Sequence, residues 1–376
     1  MSTTLSIPNE TKMLRTFDDW VDLFRDWQKK IDLESPGIDQ FSFEAKYGDL
    51  KTNEIEFGDY LGQPKWERVG QIPHAPVKDA LLNLIVYQGD TEFASVEQQR
   101  NLFRTAPSAY DLETATRIMA EEMRHGWQMC HLLMTHFGDA GKVEARKLLE
   151  RRSWMHNRLL GSFNEDVQNW VDFYTYTDFV DRDGKFQLNM LSTSAFAPLA
   201  RSMGPMLKEE AFHIGSGQTG LGRILRGGRV KTPLLQKFFN KWLPTAYDLF
   251  GVDHSSSAQW FYVWGIKGRF DEHKCEEPAD QRGLNERSRA LYVQEVRTLI
   301  DQLNRFVPED QPKLFAPDMR FNRSIGGYKG ETWSPTGEPL NGDEYATQRA
   351  AALPSAADVA ELTEIFKDPT WISPKS

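Results

Sequence analysis

Residues 115–136, ATRIMAEEMRHGWQMCHLLMTH, decide how this chain folds. Ala115, Ile118, Met119, Met129, Leu132 and Leu133 recur at helical spacing and draw one apolar stripe. Glu122 and His125 fall on that stripe, because residues three apart share a helix face. A carboxylate on a core-facing stripe needs a partner, since an unpaired buried charge is expensive. A second pair of the same form, Glu210-Ala-Phe-His213, shares its face with Leu199, Met203, Met206 and Leu207.

Upstream of each pair stands another carboxylate. Glu92 precedes Glu122 by 30 residues, and Asp181 precedes Glu210 by 29. Such separations suit two antiparallel helices whose midpoints face each other across a short connection. Spacing alone does not separate Asp181 from Asp178 or Asp183. The chain thus repeats one half-site: carboxylate, helix reversal, Glu-x-x-His. That pattern predicts an all-α, ferritin-like four-helix bundle, with Glu92, Glu122, His125, Asp181, Glu210 and His213 converging on two metal ions. Four carboxylates and two imidazoles suit two irons, with manganese also compatible, better than zinc or copper. Glu121 and Glu209 fall on a different face, as solvated groups or as outer partners of the ligands. His131 reads as a packed or surface histidine, and His136 lies about three turns from His125, too far to share its ion. The competing reading is a helical scaffold whose Glu-x-x-His pairs are core salt bridges.

Outward from this core, residues 14–31 place Leu14, Phe17, Trp20, Phe24 and Trp27 at helical spacing. Loop-like sequence follows to 76. A long helix is expected over 77–103, a second from Ser108 or Asp111 to Phe137, and a third from about Val143. Residues 164–200 read as helix broken by a turn at DRDGKF. Helix 199–213 carries Gly204-Pro205, a kink signal, and the glycine-rich GSGQTGLGRILRGGRVK follows it. Further helices are expected at 233–249, 256–269 and 285–305, and a Pro- and Gly-rich tail from 306 wraps the bundle. One domain spanning 1–376 is the simplest account: bundle core about 77–215, N-terminal extension 1–76, and C-terminal helices and tail 216–376.

Composition bounds the function. The 376 residues carry 23 Phe, 11 Trp and 11 Tyr, and a net charge of −9 with pI near 5.5 argues against nucleic-acid binding. Cys130 and Cys275 are too few for a disulfide framework. No signal peptide or apolar run long enough to span a membrane is evident, so a cytoplasmic location is expected. Gln88, one turn before Glu92, and Thr177, one turn before Asp181, are candidates to support the ligands or contact substrate. Gly89 and Gly126 either leave space near the metals or serve helix packing. Arg223, Arg226, Arg229 and Lys231 concentrate positive charge that would suit the phosphates of a coenzyme A thioester, or form a solvated loop.

The motifs GDTEFASVEQQR, APSAYDLETATRIMAEEMRHGWQM, LLERRS, LGSFNED, FVDRDGKFQL, SAFAPLAR and MLKEEAFH resemble the oxygenase components of benzoyl-CoA epoxidases. Weaker likeness extends to FGDYLGQPKW before the bundle and to KGRF, LNER and LPSAAD after it. The resemblance implies a di-iron monooxygenase that adds one atom of O2 across the ring of an aromatic acyl-CoA. Its electrons would come from a separate NADPH-dependent flavin and iron–sulfur reductase. It also implies Asp181 rather than its neighbours as the sixth ligand, and matches Gln88 to a glutamine beside the metals. Differences at Tyr87, Phe93 and HIGSGQTG leave open which aryl-CoA, or other aromatic acid, is the substrate. Two other functions fit the residues: a di-iron oxygenase of a biosynthetic pathway, for amine oxidation or desaturation, and a non-catalytic iron-handling protein.

Overall fold

The computed structural model describes residues 14–33, 41–253, 256–272, 274 and 279–373; Cys275 and the extreme N-terminus lie outside them. The bundle is built from α2 (Ala75–Gln99), α3 (Ala109–His136), α5 (Trp170–Leu191) and α6 (Ala197–Gly227). Around it lie α1 (Phe17–Lys30), α4 (Gly138–Glu150), α7 (Thr232–Leu249), α8 (Ser256–Val263), α9 (Leu284–Leu303), α10 (Gly342–Ala352) and α11 (Ala356–Ile365). Among the described residues β pairing is confined to three isolated bridges. None of these helices is long and apolar enough to cross a membrane.

Local chemistry sets the helix ends. Ser108 caps α3 by accepting from Asp111 N–H, and Asn169 caps α5 by accepting from Val171 and Asp172 N–H. Prolines open α2 and α6, where a missing N–H costs nothing. Helix α6 ends on Gly228, whose φ of 61° is the left-handed conformation glycine adopts without strain. α1 lays Trp20, Phe24 and Trp27 against Phe93 and Trp127, and Trp27 Nε1–H donates to Glu97 at 2.9 Å.

The structure departs from the sequence reading in two stretches of the bundle. DRDGKF is not a turn: α5 runs unbroken through Gly184, and a Cβ there would meet Glu210 Oε2 at an ordinary contact distance of 3.8 Å. Gly204-Pro205 lies inside α6, where the sequence reading put it. Proline deprives the Arg201 carbonyl of its intrahelical donor, and Gly48 N–H supplies one at 2.9 Å. The glycine-rich segment after His213 is helix as well. Gly217 packs against the backbone of Asp178 and Gly220 beneath the Tyr174 ring, so α5 and α6 approach at a distance only glycine allows. The tail from 306 is likewise more ordered than its composition suggests. It forms α10 and α11 against α7, through Lys237 to Asp358 at 2.8 Å and Asn240 to the Ala352 carbonyl at 3.0 Å.

A Cβ on Gly220 would meet Tyr174 Cδ1 at 2.1 Å, whereas one on Gly215 meets nothing. Gly220→Ala is therefore expected to destabilise by about 1–3 kcal/mol through overpacking. Gly215→Ala is expected to stabilise by up to about 1 kcal/mol through helix propensity. Chemical denaturation midpoints of the two variants check the contrast, and similar shifts in both would refute the close-packing role.

Candidate metal centre

Helices α2, α3, α5 and α6 each bring a carboxylate to one buried point, and α3 and α6 add an imidazole each. Two overlapping groups of donors form. One comprises Glu92, Glu122, His125 and Glu210, the other Glu122, Asp181, Glu210 and His213, with the donor atoms of each group within 4.8 Å of one another. Glu122 and Glu210 belong to both. All six residues named from the sequence are therefore brought together, and Glu122 and Glu210 are the two common to both groups.

Both imidazoles turn Nδ1 inward. His125 Nδ1 lies 3.4 Å from Glu92 Oε2 and 3.6 Å from Glu210 Oε1. His213 Nδ1 lies 3.2 Å from Glu122 Oε1, 3.6 Å from Glu210 Oε2 and 4.0 Å from Asp181 Oδ2. Yet both Nδ1 atoms, Asp181 Oδ2 and Glu210 Oε2 are buried without a hydrogen-bond partner. Buried polar atoms are almost always satisfied, so four orphans gathered at one point from three helices fit cations between them.

The outer ring nitrogens are held crosswise. His125 Nε2 faces Glu209 at 2.8 Å, and His213 Nε2 faces Glu121 at 3.0 Å. Each Glu-x-x-His is thus preceded by the carboxylate that fixes the other helix's histidine. Of the two roles open to them from sequence, Glu121 and Glu209 take that of outer partners. The signal was the repeated Glu-Glu-x-x-His of 121–125 and 209–213. Glu209 is in turn gripped by Arg124 and by Lys46 at 3.3 Å, and Glu121 by Arg117 at 2.9 Å. Gln88 Nε2 donates to Glu92 at 2.6 Å, which orients that carboxylate.

Electrostatics follow the crowding. Burial, reinforced by neighbouring carboxylates, pushes Glu122 and Asp181 well above the usual carboxylate range, although His213 opposes this in both. Glu92 is buried too, but the adjacent His125 brings it below its ordinary value. His213 is raised despite burial, because Glu210, Glu121 and Glu122 surround it. Without cations, protons occupy Glu122 and Asp181 at pH values where free carboxylates are ionised. Metal binding must displace them, so affinity is expected to rise as pH rises above the ordinary carboxylate range. Ferrous titration in weak buffer should release protons from Glu122, Asp181 and His213. No release would contradict the assignment.

A cavity of about 630 Å³ opens onto this cluster. Glu92, Glu122, Asp181 and Glu210 line it but the two histidines do not, so the carboxylate side is the open face. The remaining wall is largely apolar, including Leu84, Phe163, Val180, Met190, Phe250 and Phe261. Arg158 pins the loop carrying Leu160 and Phe163 by pairing with Asp90 at 3.0 Å and Glu97 at 2.8 Å.

Two groups named from sequence sit elsewhere. Thr177 is fully buried and is not part of the cavity wall; its neighbour Tyr176 is. None of Arg223, Arg226, Arg229 and Lys231 reaches the cavity. Arg223 pairs with Asp111 at 2.5 Å, Arg226 lies over the Phe306 ring and Arg229 meets Asp368 at 3.5 Å, while Lys231 precedes α7 as its N-cap. Arg223 is 13 residues beyond Glu210 on one helix, about 20 Å at ~1.5 Å per residue. The cations that do line the cavity are Lys267, which opens the KGRF segment of weaker family likeness, and Lys329; neither was singled out from the sequence as a site residue. Lys267 Nζ donates to Gln187 Oε1 at 2.7 Å, and Gln187 Nε2 donates to Asp183 Oδ1 at 2.9 Å. Burial lowers Lys267 to about 8 and raises Asp183 to about 7.

Fold and site together define a ferritin-like helical bundle with a doubled carboxylate–histidine centre. A family model described as "Phenylacetic acid catabolic protein" matches residues 71–308, a span that contains every helix of the bundle. The chain is 37% identical over 355 residues to benzoyl-CoA oxygenase component B of Aromatoleum evansii, covering 81% of this chain and 73% of that protein. It is 23% identical over 275 residues to one of the subunits of the 1,2-phenylacetyl-CoA epoxidase of Escherichia coli (strain K12), covering 72% of this chain and 81% of that protein. The chain belongs to the phenylacetic acid catabolic protein family.

Proposed function

We propose that this chain is the oxygenase component of a monooxygenase acting on the ring of an aromatic acyl-CoA, a benzoyl-CoA-like thioester. The observation that carries the reading is the apolar cavity ending on the open carboxylate face of the donor cluster. The relatives supply the chemistry: one is named as a component of a benzoyl-CoA oxygenase, the other as part of a phenylacetyl-CoA epoxidase. A cavity of this size also favours an organic substrate over iron handling.

Glu92, Glu122, His125, Asp181, Glu210 and His213 would hold two iron ions; manganese, allowed by the donor set, has nothing further in its favour. A reduced iron pair would supply activation of O2 for transfer of one oxygen atom to the ring. The chain's residues do the rest. Glu209 and Glu121 keep both imidazoles with Nδ1 turned inward, and Gln88 orients Glu92. The apolar wall seats the ring and excludes water. Electrons would come from a separate NADPH-dependent flavin and iron–sulfur reductase in the cytoplasm.

The test is anaerobic reduction of iron-loaded protein with benzoyl-CoA present, then exposure to 18O2 and mass analysis. One labelled oxygen atom per product ring is expected. Oxygen consumption with no oxygenated product from any aryl-CoA would end this reading.

A further inference from the structure

Beyond the donor cluster, the cavity wall carries a strip of polar groups on α5 and on the turn after α8. Asp183 accepts from Gln187, and Gln187 accepts from Lys267. Among the described residues, the Gln187 contact is the one hydrogen bond that Lys267 Nζ makes. An ammonium has three N–H donors, so two remain free at a wall that is otherwise mainly apolar.

The turn that carries Lys267 is stiff. Ala195 N–H donates to the Gly265 carbonyl at 2.7 Å, Lys267 N–H to Phe261 at 3.1 Å, and Gly268 N–H to Met190 at 3.1 Å. A Cβ on Gly268 would lie 2.4 Å from Thr193 Oγ1, which shows how tightly the turn seats against the end of α5. A donor held this way is preorganised for a ligand rather than left to sample solvent.

Its position along the cavity sets what it can meet. Gln187 lies six residues beyond Asp181 on α5, about 9 Å along the axis at ~1.5 Å per residue. That spans a ring atom beside the donor cluster, the attached acyl carbon and its oxygen. We infer that Lys267 is a substrate-orienting residue that donates a hydrogen bond to the thioester carbonyl oxygen of the aryl-CoA. The contact holds the ring at a fixed depth and angle over the carboxylate face. Gln187 positions Lys267, and Asp183 sets the orientation of the Gln187 amide. The inference rests on the aryl-CoA reading above and adds the group that recognises the acyl oxygen.

The test compares benzoyl-CoA with S-benzyl-CoA, the thioether that lacks only that oxygen. Binding to the iron-loaded chain is measured by calorimetry without O2, so nothing turns over. Wild type is expected to prefer the thioester about tenfold or more, the scale of a hydrogen bond from a charged donor. Lys267→Met is expected to abolish the preference while binding the thioether as wild type does. Equal weakening of both ligands, or an unchanged preference, overturns the inference and leaves Lys267 as a structural counter-charge. If Lys267→Met fails to fold, Lys267→Gln is expected to retain a smaller preference, and an undiminished one overturns the inference. Binding of neither ligand by wild type would overturn the aryl-CoA reading and this inference with it.

Discussion

Replacing Glu122 with alanine is expected to leave one iron or fewer per chain and to lower aryl-CoA oxygenation at least about a thousandfold, ~4 kcal/mol of barrier. Glu122 belongs to both donor groups, as does Glu210, so its loss opens both positions at once. Burial and the carboxylates around it already hold Glu122 well above the ordinary range, and His213 Nδ1 stands 3.2 Å from its Oε1. Alanine would remove one of the three carboxylates around that imidazole, leaving Glu210 and Asp181 at 3.6 and 4.0 Å. Elemental analysis and single-turnover product yield check the result. Full iron content in the variant would show that Glu122 is not a shared ligand.

Glu209→Ala is expected to weaken iron retention by roughly 10- to 100-fold, the usual effect of removing a ligand's outer partner. Glu209 accepts from His125 Nε2 at 2.8 Å and thereby keeps Nδ1 turned inward. It also neutralises Arg124, which is buried. Without it the arginine stands unpaired, so a drop in thermal stability should accompany the metal loss. Glu209→Gln keeps an acceptor oxygen and is expected to recover part of the affinity. Competition with a ferrous chelator measures both variants. Wild-type retention in Glu209→Ala would assign His125 some other anchor.

Most of the candidate centre was legible because each Glu-x-x-His pair lies on a helix with a clear apolar face. Asp181 was not resolved by spacing, and the reason is physical. Residues 170–183 of α5 are buried on every side, so helical periodicity marks no preferred face. Three aspartates therefore look alike until their partners are known. Asp178 is taken by Arg182 at 2.7 Å and Asp183 by Gln187, which leaves Asp181. The family resemblance points to the same residue.

The misread segments share another cause. GSGQTGLG looks like loop by composition, but Tyr174 and Asp178 on α5 demand glycine, and they are more than 35 residues away. The basic stretch looked free because Asp111 and Asp368, which neutralise Arg223 and Arg229, lie far off in sequence. The helices of the tail were a different case. Asn341 with Glu344, and Ser355 with Asp358, are capping boxes, a local signal that the Pro and Gly content obscured. Lys267 stands in the KGRF segment of weaker family likeness, but nothing in its local sequence marks it as a site residue; the cavity does.

The central claim is that six side chains from four helices hold a pair of iron ions and no more. Titrating the metal-free chain anaerobically with ferrous iron, then removing unbound metal and measuring iron per chain, tests it most directly. The arrangement requires a plateau at two, with Mössbauer spectra of the oxidised protein showing magnetically coupled irons. A plateau at one or below, or uptake continuing well past two, would contradict it.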